Sequence, residues 1–246
     1  MMATIHAEWL KLRTVRTPWL LLGAGLLIVV GGISGLVITT GTPRAASLQS
    51  VAVAHLGIVA IVSLVFGTLA VAGEYRQRTI TDTFLSSPRR GRVVAAKLVV
   101  FTGIGAVEGV IGAIVAVVTA SIWWGAKGAF FDLGNADMWR TIVGGILANA
   151  LYAAIGVGLG ALIRNLTGAI IVTVGWLAVV EGIVGQLVGT SIAKWLPFTA
   201  GRALALAQGA ADNGLLAREA GGFVVAAYAA AFVVIAVFST LRRDVT

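Results

Sequence analysis

The sequence predicts an all-α polytopic membrane protein, and two observations carry that prediction. Of 246 residues, 59% are hydrophobic and 11% charged, with a mean hydropathy of +0.98, whereas a soluble domain of this size carries about 25% charged residues. The apolar residues also fall in long unbroken runs. Barrel strands would instead alternate lipid-facing and lumen-facing residues in segments of about ten. In hydrocarbon every backbone polar group must find its partner inside the protein, and about 20 apolar residues wound as a helix meet that demand while crossing the bilayer.

In chain order, residues 1–18 come first and read as a short amphipathic helix at the membrane surface. Ile5, Trp9 and Leu12 recur at i, i+4 and i+7, while His6, Glu8, Lys11 and Arg13 fall mostly elsewhere on the wheel. That pattern suits a helix whose apolar stripe dips into the headgroup layer; a frayed basic flank is the plainer alternative. Pro18 then permits a turn into the membrane.

Six runs of spanning length follow, at residues 19–40, 51–73, 93–121, 139–163, 166–189 and 221–241. No small-x-small cleavage site follows the first, so it reads as an uncleaved span. Glycines four apart (Gly31 and Gly35, Gly105 and Gly109, Gly156 and Gly160, Gly185 and Gly189) let helix backbones approach closely in lipid. Residues 190–220 are too long for a turn and too interrupted by Lys194, Arg202, Asp212, Arg218 and Glu219 for a span, so they read as an outer interfacial or re-entrant segment. Trp195 and Phe198 there, and Trp123, Trp124, Phe130 and Phe131 between spans three and four, read as interfacial anchors.

Basic residues set the orientation. With both termini in the cytoplasm, twelve of the 18 lysines and arginines lie inside, among them Lys11, Arg76, Arg78, Arg92, Lys97 and Arg164, and six lie outside. The net charge of +8 is thus a topology signal. A nucleic-acid partner would need a basic face on a soluble surface, and none is expected.

Several chemistries are excluded. There is no cysteine, hence no disulfide or thiolate site. None of Lys11, Lys97, Lys127 and Lys194 is followed by Ser or Thr, so there is no phosphate-binding loop for ATP. His6 and His55 lie far apart with no carboxylate at ligand spacing, and Ser34 is not in a Gly-x-Ser-x-Gly turn. The chain is expected to hold no catalytic residue, metal or cofactor of its own.

The polar connection at residues 74–92 is the most informative stretch. Ile80 and Phe84 lie one helical turn apart with Leu85 beside them, and Ser86, Ser87 and Pro88 end the turn. A compact amphipathic helix at the mouth of a bundle suits docking on a soluble partner; a solvated basic loop is the bland reading. The order of Glu74, Tyr75, Arg76, Thr79, Ile80, Thr81, Leu85, Pro88, Arg89 and Lys97 resembles the loop after the second span in type-2 permeases of the ATP-binding-cassette superfamily. Glu8-Trp9-Leu10-Lys11-Leu12-Arg13 resembles that family's elbow helix, and Trp195-Leu196-Pro197-Phe198 its outer re-entrant segment.

The resemblance implies an exporter of the bacterial plasma membrane, with two permease protomers, the same or similar chains, surrounded by membrane lipid. Cytoplasmic ATPase subunits would bind ATP and Mg. It implies that Glu74, Arg76, Thr79, Ile80, Phe84, Leu85 and Pro88 make or shape a coupling helix seated on the ATPase. A small amphiphilic, drug-like, peptide or lipid-like substrate is expected, since the chain lacks the extended outer domain of larger members.

Four polar residues within the spans are candidates for a translocation path. Glu108 sits near the middle of the third, where an unpaired charge costs about 3 kcal/mol or more. It lines a translocation path, or it is neutral and hydrogen-bonded to a neighbouring helix. Asn149, Glu181 and Gln186 are the companions with which it would form a polar path. Two other functions stay open: an ion- or proton-coupled carrier that uses Glu108 and Glu181, and a membrane scaffold that transports nothing.

Overall fold

A computed structural model describes residues 2–14, 16–40, 46–81, 90–176, 180–206 and 214–242. These residues are helical with short connections and contain no strand, as burial of backbone in lipid requires. Helix α1 (Met2–Thr14) precedes α2 (Thr17–Thr40). A second crossing joins α3 (Ala46–Val53), a 3-10 turn over Ala54–Leu56 and α4 (Gly57–Gln77). Next come α5 (Arg90–Ala126) and α6 (Ala136–Ile163). The short helices α7 (Leu166–Gly175), α8 (Glu181–Leu187), α9 (Thr190–Ala193) and α10 (Pro197–Ala205) follow, and α11 (Arg218–Arg242) is last.

Five helices among the described residues are long and apolar enough to cross a membrane, where the sequence predicts six spans. The difference lies at residues 166–189. Helix α7 ends at Gly175 and α8 begins at Glu181, with π-type winding at Trp176 and Val180, and residues 177–179 between them lie outside the described residues. At the other end, α5 has 37 residues and is about 55 Å long at 1.5 Å per residue, well beyond a hydrocarbon core of about 30 Å.

The bundle is built around α6. Of its apolar stretch 61% is buried, against 28% for α2 and 22% for α11, so the last two keep most of their surface for lipid. Small residues permit the close contacts on α6. A side chain at Gly156 would collide with the backbone of Leu64 in α4, and one at Gly105 in α5 would stand 2.6 Å from the carbonyl oxygen of Asn149. Such contacts gain dispersion where no hydrophobic drive exists between helices. Of the four expected glycine pairs, those at Gly105 and Gly156 meet a neighbouring helix, whereas Gly31 and Gly35 face open space.

Two expected anchors are core residues instead. Trp124 and Phe131 are buried and meet edge to face with ring centroids 5.6 Å apart, because the connection between α5 and α6 folds back over the end of the bundle. Phe130 is exposed, as an anchor requires. The ring of His55 fills the notch left by Gly32 of α2, which makes it a packing residue.

Candidate functional site

Three polar clusters stand out, one at the end of the bundle where α1, α4 and α5 meet and two beside α6. The first lies where α1, α4 and α5 meet. Lys97, two turns into α5, is 2% exposed. Its ammonium donates to Glu8 Oε2 at 2.7 Å, to Glu74 Oε1 at 2.9 Å and to the Ala70 carbonyl at 3.1 Å, so three N–H bonds meet three acceptors. Lys11, one turn after Glu8 on α1, donates to Glu8 Oε1 at 3.0 Å and to Glu74 Oε1 at 2.7 Å. Burial opposes the charge of Lys11, but hydrogen bonding and attraction to Glu74, then to Glu8, outweigh it and hold its pKa above 10.5. Two carboxylates and two ammonium groups thus cancel; Glu74 Oε2 alone is buried with no partner among the described residues.

This knot sets which face of α1 lies on the bundle. Glu8 points into the protein and is buried, while Trp9 is about half exposed. The reason is the solvent: beside a lipid-facing bundle, the apolar stripe belongs in hydrocarbon and the charges belong on the protein, where a partner lowers their cost.

The knot also stands at the root of the 74–92 connection. Helix α4 ends one turn past Glu74, where Arg78 takes a left-handed conformation at φ 58° and Thr79 donates its N–H to the Glu74 carbonyl at 3.1 Å. The chain then re-enters a helical conformation at Ile80 and Thr81. Ile80 is buried, so it anchors the connection on the bundle and does not form an outward knob; Arg76 and Thr79 are exposed. Phe84, Leu85 and Pro88 lie outside the described residues. Arg164, the left-handed cap of α6, places its guanidinium 5.9 Å from the Tyr75 ring centre, which ties the ends of α4 and α6 together.

The second cluster lies eleven residues further along α5, a rise of about 16 Å or half the hydrocarbon core. Ser63 Oγ of α4 is 2.6 Å from Glu108 Oε2 and 3.0 Å from Asn149 Oδ1 of α6. The Asn149 amide nitrogen donates to the Gly145 carbonyl at 2.8 Å, which fixes the amide with its oxygen toward Ser63. One hydroxyl proton therefore faces two acceptors. The chain of hydrogen bonds is complete when the Glu108 carboxyl brings a second proton, and one short when it is ionised. Glu108 Oε1 takes no hydrogen bond among the described residues. No cation from the described residues pairs with this acid.

The third cluster seats α10. Glu181 accepts from the Phe198 N–H at 2.8 Å and from the Thr199 N–H at 3.0 Å, the first turn of a helix that begins at Pro197. An anion there satisfies orphan donors and opposes the positive end of the helix dipole. Tyr152 of α6 donates its hydroxyl to the Pro197 carbonyl at 2.9 Å and stacks on Phe198 at 4.8 Å. The first turn of α10 is thus held by two named side chains.

Of the four expected path residues, the structure brings Glu108 and Asn149 together, assigns Glu181 to the third cluster and leaves Gln186 exposed. Sequence reasoning passed over Ser63, Glu8 and Tyr152. A single hydroxyl in an apolar run carries no signal of its own; the one available clue to Glu8 was the lone buried-side Lys97 needing an acid.

No curated protein matches this sequence. The family model described as ABC-2 family transporter protein matches residues 4–206, which takes in the knot, the central cluster and the α10 seat. A multi-pass helical chain matched over most of its length by this model belongs to the ABC-2 family of transporter permeases.

Proposed function

We propose that this chain is the membrane-spanning permease subunit of an ATP-driven exporter, working as a dimer of permeases on cytoplasmic ATP-binding-cassette ATPase subunits. ATP and Mg belong to those subunits. Both termini face the cytoplasm, and α7 with α8 together make the fifth of six crossings. The substrate is a small amphiphilic or lipid-like molecule, in keeping with short outer connections.

The observation that carries this reading is the knot of Glu8, Lys11, Glu74 and Lys97. It fastens α1, α4 and α5 to one another at the root of the 74–92 connection, so a push on that connection moves three elements as one. Exposed Arg76 and Thr79 make the ATPase contact, Glu74 and Ile80 shape it from behind, and Phe84, Leu85 and Pro88, outside the described residues, belong to the same contact. Tagged chain extracted in mild detergent is expected to carry the ATPase with it. Arg76→Glu is expected to weaken that association about tenfold, and an ATPase-free wild-type preparation would refute the proposal.

The central cluster supports a second reading, an ion-coupled carrier in which Glu108 exchanges a proton. That reading requires flux in liposomes under an ion gradient alone, abolished by Glu108→Gln.

A further inference from the structure

Beside α1 the bundle is open. A groove of about 1000 Å³ lies between α1, α2 and α5, at the upper end of the ~300–1000 Å³ typical of sites for drug-sized molecules. Along α5 it runs from Val99 to Ile111, twelve residues or about 18 Å, from near the knot to the depth of the central cluster. Trp9, Trp19 and Phe66 contribute aromatic surface, and Glu108 closes the deep end. His6 and Glu108 are its ionisable side chains among the described residues.

We propose that this groove binds a lipophilic organic cation taken from the bilayer, with its charge beside Glu108 and its rings against Trp9, Trp19 and Phe66. The central cluster is one positive hydrogen short when Glu108 is ionised, and Glu108 Oε1 has no partner, so a cation completes what the chain leaves unmatched. A charge at that depth is tolerated when it is spread over an aromatic body, and aromatic faces attract cations once water is excluded. A phospholipid fits less well, because it would place only hydrocarbon at the acid and would hold its phosphate at the headgroup level. The proposal deepens the permease reading and rests on it for the fate of the bound molecule, whereas binding itself needs no ATPase.

The test is equilibrium binding of tetraphenylphosphonium to the purified full-length chain in phospholipid nanodiscs, with empty nanodiscs subtracted. Uncharged triphenylphosphine oxide is the comparison. The cation is expected to bind more tightly than the uncharged compound. Glu108→Gln is expected to weaken the cation about tenfold or more and to leave the uncharged compound within about twofold. Gly103→Leu fills the groove, because a side chain there meets no atom within 4 Å, and is expected to weaken both. Equal binding of the two compounds overturns the proposal in favour of a lipid-filled cleft. Unchanged cation affinity in Gly103→Leu also overturns it, and if that variant loses its dimer at the same time, a second copy of the chain covers the groove. Should Glu108→Gln fail to fold, Gly103→Leu and Val107→Phe decide: unaltered cation binding in both overturns the assignment. A chain that binds the cation but recruits no ATPase refutes the exporter and keeps the groove; the converse refutes the groove alone.

Discussion

The knot at the root of the 74–92 connection and the cluster in the middle of the bundle both hold acids in apolar surroundings, but they are balanced differently. At the knot, two carboxylates meet two ammonium groups and each Lys97 proton has an acceptor. In the middle, one carboxyl faces one hydroxyl proton and an amide oxygen that wants the same proton. A balanced charge cluster holds helices in fixed relation; an unbalanced one has something left to bind. On the proposed reading the knot transmits motion and the centre binds a ligand, and each can be broken separately.

The largest effect is expected at the knot. Lys97→Met leaves Glu8 and Glu74 with Lys11 alone, and removing one partner of a buried pair costs about 3–5 kcal/mol. Thermal unfolding in detergent is expected to show that loss. The triple change Glu8→Gln, Glu74→Gln, Lys97→Met is expected to recover much of the stability while leaving ATPase turnover uncoupled from transport. Full coupling in the triple variant would show that the knot transmits nothing.

At the centre a smaller effect is expected. Gly105→Ala sets a methyl 2.6 Å from the Asn149 carbonyl oxygen, so α5 must move off α6, at about 1–3 kcal/mol for overpacking. If the Glu108 site depends on that contact, its ligand affinity falls along with the melting temperature.

Glu181→Gln tests the contrast at the seat of α10. The amide keeps an acceptor for the first turn of α10 but loses the charge, a change of about 1 kcal/mol at a helix N-terminus. Faster amide exchange across residues 197–205 is expected, with the knot unaffected.

Smallest is the response to pH through Lys11. Its folded pKa is raised, so its stabilising contribution is complete below 10.5 and fades as pH rises through the higher folded value. Lys11→Met is therefore expected to lower the melting temperature by an offset that is constant between neutral and mildly alkaline pH and narrows only in strong alkali.

How much of this was legible in the sequence varies with the physics involved. The spans were readable because hydrocarbon imposes length and composition on each helix alone. The seat that Glu181 gives α10 was not, since it is a contact made by folding and leaves no mark on the composition of residues 166–189. Similarly, the periodicity of α1 was legible but the pairing of Glu8 with Lys97 was not, because a wheel does not say whether water, lipid or protein lies on each side. Glu108 and Asn149 were conspicuous as polar residues in oily runs. Ser63, which joins them, was hidden by being an ordinary hydroxyl in an apolar helix.

The absence of cysteine allows a direct test of the central claim, that the connection rooted in the knot lies in the cytoplasm and is gripped there by an ATPase. A single Thr79→Cys is to be labelled with a membrane-impermeant maleimide in intact cells, in inverted vesicles, and in inverted vesicles stripped of peripheral proteins. The expected result is no labelling of cells, weak labelling of inverted vesicles and strong labelling after stripping. Labelling of intact cells, or equal labelling with and without the peripheral proteins, would contradict it.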